Sequence, residues 1–113
     1  MASTAGANPL QLLVGLGNPG REYVGTRHNV GFMALERLAA QGGSRFRQQA
    51  KLQGLLAEVG SGPSRLRLLM PQTFMNESGR SIRAALDWFG LEADQLLVLV
   101  DDMDLPLGRL RLR

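Results

Sequence analysis

The chain has 113 residues, enough for one domain, with 44% hydrophobic and 20% charged residues, the balance of a globular core and not of a disordered polymer. It contains no cysteine, which excludes disulfides, thiolate nucleophiles and cysteine-ligated zinc, and no apolar run long enough to cross a bilayer. The formal net charge is +3 and Lys51 is the only lysine among 13 cationic residues; arginine's planar fork suits phosphate, but so small a charge is weak support for nucleic-acid contact.

Residues 1–9 lack the basic and apolar regions of a secretory signal and contain no arginine, so they read as a disordered tail before a domain spanning 10–113. The apolar run Leu10 to Leu16 predicts a first, largely buried strand. After it comes a loop with glycines at 15, 17, 20 and 25 and the chain's single histidine, His28. Gly15-x-Gly17-x-x-Gly20 matches a dinucleotide-binding fingerprint, but the match fails on two counts. Pro19, Gly20, Gly25 and Thr26 delay any helix to about Asn29, so no helix N-terminus is available for a pyrophosphate, and the acidic residue due at the end of a second strand is missing.

Asn29 to Ala40 is predicted as an amphipathic helix with Val30, Met33, Leu35 and Leu38 on its inner face, ended by Gly42-Gly43. Residues 45–51 are polar and read as a loop. Leu52 to Val59 and Arg65 to Met70 read as strands of a hairpin turned at Gly60-Ser61-Gly62-Pro63, with Arg65 and Arg67 alternating with Leu66 and Leu68. Glu77 to Phe89 places Ile82, Ala85, Leu86 and Phe89 at helical spacing, with Asn76 at the expected N-cap and Gly90 at the C-terminal cap. Leu96 to Val100 is wholly apolar, as for a central strand covered on both faces, and leads into Asp101, Asp102 and Asp104. Arg109 to Arg113 alternates like a further strand, inside which the chain stops, so the domain reads as incomplete. The element order predicts a single α/β domain, a mixed twisted sheet flanked by helices.

His28 is the only side chain whose unperturbed titration lies near neutrality, so it is the simplest general base. A carboxylate bonded to the far ring nitrogen would orient it, and Asp101, nearest the apolar strand, is the favoured partner. With no cysteine and no serine in a nucleophile elbow, water is the natural nucleophile. The three aspartates offer hard oxygen ligands but lack the spacing and glycine of a calcium loop, and a polar turn before Pro106 and Gly108 explains them more simply. For Asn76 the local pattern favours a helix cap over a catalytic amide. Phe74 and Met75 are better explained as a hydrophobic staple or core filler than by contact with a substrate.

Three separated motifs occur together: Gly15-Leu16-Gly17-Asn18-Pro19-Gly20 with Tyr23 and Thr26-Arg27-His28-Asn29; Pro71-x-Thr73-Phe74-Met75-Asn76-x-Ser78-Gly79; and Asp101-Asp102-x-Asp104-Leu105-Pro106-x-Gly108. In identity, order and spacing they closely resemble the bacterial-type peptidyl-tRNA hydrolase family, from Leu10 onward. The resemblance implies an esterase that cleaves the bond between a peptide's carboxyl group and the terminal ribose of tRNA, recycling the tRNA. It implies that His28 activates water, Asp101 orients His28, Asn18 and Asn76 position substrate and stabilise the oxyanion, and Tyr23 and Met75 line the site. No metal or cofactor is implied, nor a membrane; a cytoplasmic monomer is expected, with the mitochondrion as the alternative compartment. Family members continue past Arg113 through a glycine-rich segment with a further active-site asparagine, more strands and a C-terminal helix. The competing readings are an inactive tRNA-binding or interaction remnant of the same fold, and a metal-dependent phosphoesterase built on the aspartates.

Overall fold

The computed structural model of the chain describes residues 9–17, 30–73 and 77–99. These form a five-stranded mixed sheet with one long helix on each face. In chain order the elements are β1 (Leu12–Gly15), α1 (Val30–Gln41), β2 (Arg47–Gln49), β3 (Gly54–Val59), β4 (Leu66–Pro71), α2 (Ser78–Phe89) and β5 (Leu96–Leu99), with short 3₁₀ turns at Ala50–Leu52, Gly62–Ser64 and Ala93–Gln95. The strand order is β2-β3-β4-β1-β5. β4, β1 and β5 are parallel, whereas β2, β3 and β4 are joined antiparallel.

Alternation along β1 divides the core in two. Leu12, Val14 and Leu16 point to the face of α2, where they pack with Leu52, Leu69, Ile82, Ala85 and Leu86. Leu13 points the other way and packs with Leu35, Ala39, Ala57, Leu68 and Met70 on the face of α1. Leu68 and Leu69, adjacent on β4, are both fully buried because they serve opposite faces. This double burial is why β1 and the end of β4 read as nearly continuous apolar runs.

The expected C-terminal caps and hairpin turn are present. Gly90 ends α2 in the left-handed conformation (φ 67°), and the Leu91 N–H donates to the Leu86 carbonyl at 2.9 Å, satisfying a carbonyl of the last helical turn. Gly43 (φ 70°) follows α1 in the same conformation, with the Ser44 N–H donating to the Ala39 carbonyl. The hairpin turn uses Gly60 and Gly62 at positive φ, and Glu58, paired directly with Arg67, also forms ion pairs with both Arg65 and Arg67. Arg67 is covered by Phe89, whose ring centroid lies 4.1 Å from the guanidinium carbon, so it is far less exposed than Arg65.

Four expectations need correction. Residues 45–51 are not a plain loop: Arg47–Gln49 pair with β3 as an edge strand, all three exposed, so no apolar alternation announced it. The inner face of α1 is set by Leu35 and Ala39 with Phe32 beside them, while Met33 (47% exposed) and Leu38 (37% exposed) face outward. α2 begins at Ser78, with Glu77 and not Asn76 in the N-cap position. β5 is an edge strand among the described residues, paired with β1 alone, and Leu97 is exposed. Residues 109–113, expected to be a strand, lie outside the described residues.

Candidate active site

Each parallel strand carries one of the three sequence motifs on from its C-terminal end. β1 leads into the segment 18–29 and α1, β4 into 74–76 and α2, and β5 into residues from 100 onward. α1, after β1, and α2, after β4, cover opposite faces of the sheet. In open α/β sheets ligands are commonly taken beyond the carboxyl ends of adjacent strands related in this way.

Backbone contacts draw the strand ends and the start of α1 tightly together. Beyond the paired register of β1 and β5, the Leu16 N–H donates to the Leu99 carbonyl at 3.0 Å. A β-carbon on Gly31, in the first turn of α1, would lie 2.8 Å from the Leu16 nitrogen and 3.1 Å from the Leu99 oxygen. A β-carbon on Gly15 would lie 2.8 Å from the Gly31 carbonyl carbon. Only glycine at these two positions lets the helix start rest on the ends of β1 and β5.

At the carboxyl end of β4, Pro71 pairs with Gly54, and the Gln72 N–H donates to the Gln53 carbonyl at 2.9 Å. α2 is fastened to this edge by Ser81, whose hydroxyl donates to the Leu52 carbonyl. One turn earlier on the same buried face stands Ser78, 1% exposed, and its hydroxyl has no hydrogen-bond partner among the described residues. The Thr73 hydroxyl, at the end of β4, is likewise buried and without a partner among them. Glu77 makes no side-chain capping bond, so the first amides of α2 are without a side-chain cap among the described residues.

The residues assigned chemistry from sequence, Asn18, Tyr23, His28, Met75, Asn76 and Asp101, all lie outside the described residues. So do Asp102 and Asp104; among the described residues no three His, Cys, Asp or Glu side chains gather as a metal site. What is described is the frame around the motifs: Gly17 and Val30, Thr73 and Glu77, and Leu99. Ser78 and Thr73 belong to the second motif, yet their hydroxyls had no assigned role; the signal was a serine at the first helical position, where no helical carbonyl precedes it to accept its bond. A separate open groove of about 480 Å³, lined by Met33, Ala34, Arg37, Leu38 and Gln41, lies on the outward face of α1 and holds none of these groups.

A family model for peptidyl-tRNA hydrolase matches residues 12–113. The chain belongs to the peptidyl-tRNA hydrolase family. It is 77% identical over 104 residues to the peptidyl-tRNA hydrolase of Prochlorococcus marinus (strain MIT 9303) and 78% identical over 104 residues to that of Synechococcus sp. (strain CC9311). Each of those matches covers 92% of this chain and 50% of the relative, so the chain spans half the length of these curated peptidyl-tRNA hydrolases. The fold agrees: the crystal structure of peptidyl-tRNA hydrolase from Acinetobacter baumannii superposes with a TM-score of 0.77 at 36% identity, covering 88% of this chain and 50% of that one. No helix among the described residues is long and apolar enough to cross a membrane.

Proposed function

We propose that this chain carries the water-activating part of an esterase that hydrolyses peptidyl-tRNA, releasing free tRNA and peptide. The observation that carries the reading is that β4, β1 and β5, the strands from which the three motifs continue, lie side by side and parallel, with Leu16, Gly31 and Leu99 in backbone contact. His28 precedes Gly31 by three residues and Asp101 follows Leu99 by two, so covalent reach alone keeps them within about 11 Å and about 7 Å of these anchors. A base and its orienting carboxylate need that proximity.

In the proposed reaction His28 takes a proton from water as the oxygen attacks the ester carbonyl carbon. Negative charge gathers on the carbonyl oxygen, where the amide N–H groups of Asn18 and Asn76 donate hydrogen bonds. The bond from the carbonyl carbon to the ribose oxygen then breaks, and the imidazolium returns its proton to that oxygen. Asp101 holds the ring and stabilises its charged form, and Tyr23 and Met75 line the substrate. Glu77 in the N-cap position supports this assignment, because it removes the structural reason for an asparagine at 76. A cytoplasmic monomer that binds only its peptidyl-tRNA substrate completes the reading.

The test is turnover of peptidyl-tRNA by the full-length protein, with and without EDTA. Hydrolysis indifferent to the chelator is expected, since water activated by histidine needs no metal. No turnover, or turnover abolished by EDTA and restored by a divalent cation, overturns the proposal.

A further inference from the structure

The open edge of the sheet at β2 carries a basic strip on the side of α2. Directly opposed residues of an antiparallel pair share a face, so Arg47, paired with Leu56, and Gln49, paired with Gly54, stand on the face where Leu56 packs against the α2 cluster. Both side chains are exposed. Lys51 follows in the 3₁₀ turn Ala50–Leu52, and its ammonium lies 4.6 Å from the centroid of the Trp88 ring. Trp88 is two helical turns beyond Ser81, on the flank of α2 that Ser81 fastens to Leu52, and is 57% exposed.

An exposed tryptophan alone asks for no explanation, but this one holds the chain's single lysine in place. A cation resting on an aromatic face keeps its outward N–H donors free for a second partner and loses less freedom when that partner arrives. Among the described residues neither Lys51 nor Arg47 forms an ion pair. Glu58, two residues beyond Leu56 on the same face, is already engaged by Arg65 and Arg67. The strip therefore presents uncompensated positive charge beside aromatic surface, the combination that nucleic-acid strands bind. Arg47 and Lys51 are four residues apart, at most about 14 Å along the chain, enough to meet successive phosphates whose charges repeat every ~3.4 Å of one strand's axis.

The strip also adjoins the strand end from which the second motif continues. The Gln53 carbonyl, two residues after Lys51, accepts from the Gln72 N–H just past β4. That position makes the substrate's own RNA the fitting polyanion. We infer that Arg47, Lys51 and Trp88 form an auxiliary contact surface for the RNA of peptidyl-tRNA, with Arg47 and Lys51 binding backbone phosphates and Trp88 holding the ammonium in place. The inference rests on the peptidyl-tRNA hydrolase reading above. The surface adds affinity and takes no part in bond cleavage.

The experiment uses the full-length protein and measures KM and kcat for peptidyl-tRNA hydrolysis over a range of salt, with deacylated-tRNA binding and melting temperature alongside. Arg47→Gln combined with Lys51→Gln should raise KM by roughly 10-fold at low salt and leave kcat unchanged. The slope of log KM against log salt should fall by about 2, about 1 for each phosphate contact. The melting temperature should hold, since both side chains are exposed. Lys51→Arg should keep most of the affinity, and Trp88→Phe, which retains an aromatic face, should lose less than Trp88→Ala. Adding Trp88→Ala to Lys51→Gln should raise KM little beyond Lys51→Gln alone, because the ring acts through the ammonium. A doubly substituted variant with parental KM and salt slope, or a rise in KM that merely follows a fall in melting temperature, overturns the inference while leaving the parent activity standing. A wild-type protein without peptidyl-tRNA turnover overturns the functional reading, and tRNA binding untouched by these substitutions overturns this one.

Discussion

Gly15, the last residue of β1, and Gly31, in the first turn of α1, meet backbone to backbone: a β-carbon on either would lie within 3 Å of main-chain atoms of the facing element. Main-chain atoms cannot swing aside as the end of a flexible side chain does. This contact seats the helix that follows His28 on the strand that precedes Asn18.

Gly31→Ala should therefore destabilise the protein, although alanine in a helix is ordinarily better than glycine by about 1 kcal/mol. The overpacking cost, about 1–3 kcal/mol, exceeds that gain and reverses its sign. Denaturant unfolding checks this: a variant as stable as the parent would mean that α1 shifts outward without penalty, and its turnover would then report whether the seat matters to chemistry.

His28→Ala should reduce peptidyl-tRNA hydrolysis by about 10²–10⁴-fold, the worth of general-base help, since His28 is the single histidine of these 113 residues. Asp101→Asn should cost less, because an amide still contacts the ring but does not stabilise the imidazolium. Steady-state kinetics of both variants, beside Asp102→Asn and Asp104→Asn, decide the assignment; a larger loss at either of the latter two would move the orienting role there.

Asn76→Asp should leave the melting temperature unchanged and lower kcat. Glu77 holds the N-cap position, so Asn76 is not the cap, and an ionised aspartate neither donates a hydrogen bond nor tolerates a neighbouring oxyanion. Parallel losses of melting temperature and rate would return Asn76 to a structural role.

Ser81→Ala should destabilise by about 1–3 kcal/mol, because it leaves the Leu52 carbonyl without the hydroxyl that donates to it in the buried seam between α2 and the 3₁₀ turn. Thermal unfolding measures it. Set against Ser78→Ala, three residues away, the comparison separates a hydroxyl that holds the fold from one that does not.

Much of this architecture was readable from residue order because several elements carry two agreeing signals. The β3–β4 hairpin and α2 each combine an apolar pattern with glycine at positive φ, and Gly90 acts as the cap it resembles; β1 was readable from its apolar run. β2 carried no such signal: Arg47, Gln48 and Gln49 are exposed, and an edge strand of three polar residues is set by its partner alone. The face of α1 was misjudged because Met33 and Leu38 are apolar yet exposed, and periodicity does not distinguish two competing stripes on a short helix. For β5, composition shows that a strand is apolar but not how many neighbours it has. Spacing singled out the motif residues, but Asn18, Tyr23, His28, Met75, Asn76 and Asp101 lie outside the described residues. The close seat of Gly31 depends on atoms far apart in sequence and had no local signature.

The direction of β3 and β4 has a practical consequence. Their connecting turn, with Ser61 exposed between two glycines, stands at the end of β4 away from Thr73, roughly 20 Å along a six-residue strand. Because the chain has no cysteine, Ser61→Cys would supply its only thiol. A fluorophore attached there would report binding of a large RNA ligand through tumbling or energy transfer without crowding the carboxyl end of β4, so association can be timed separately from bond cleavage.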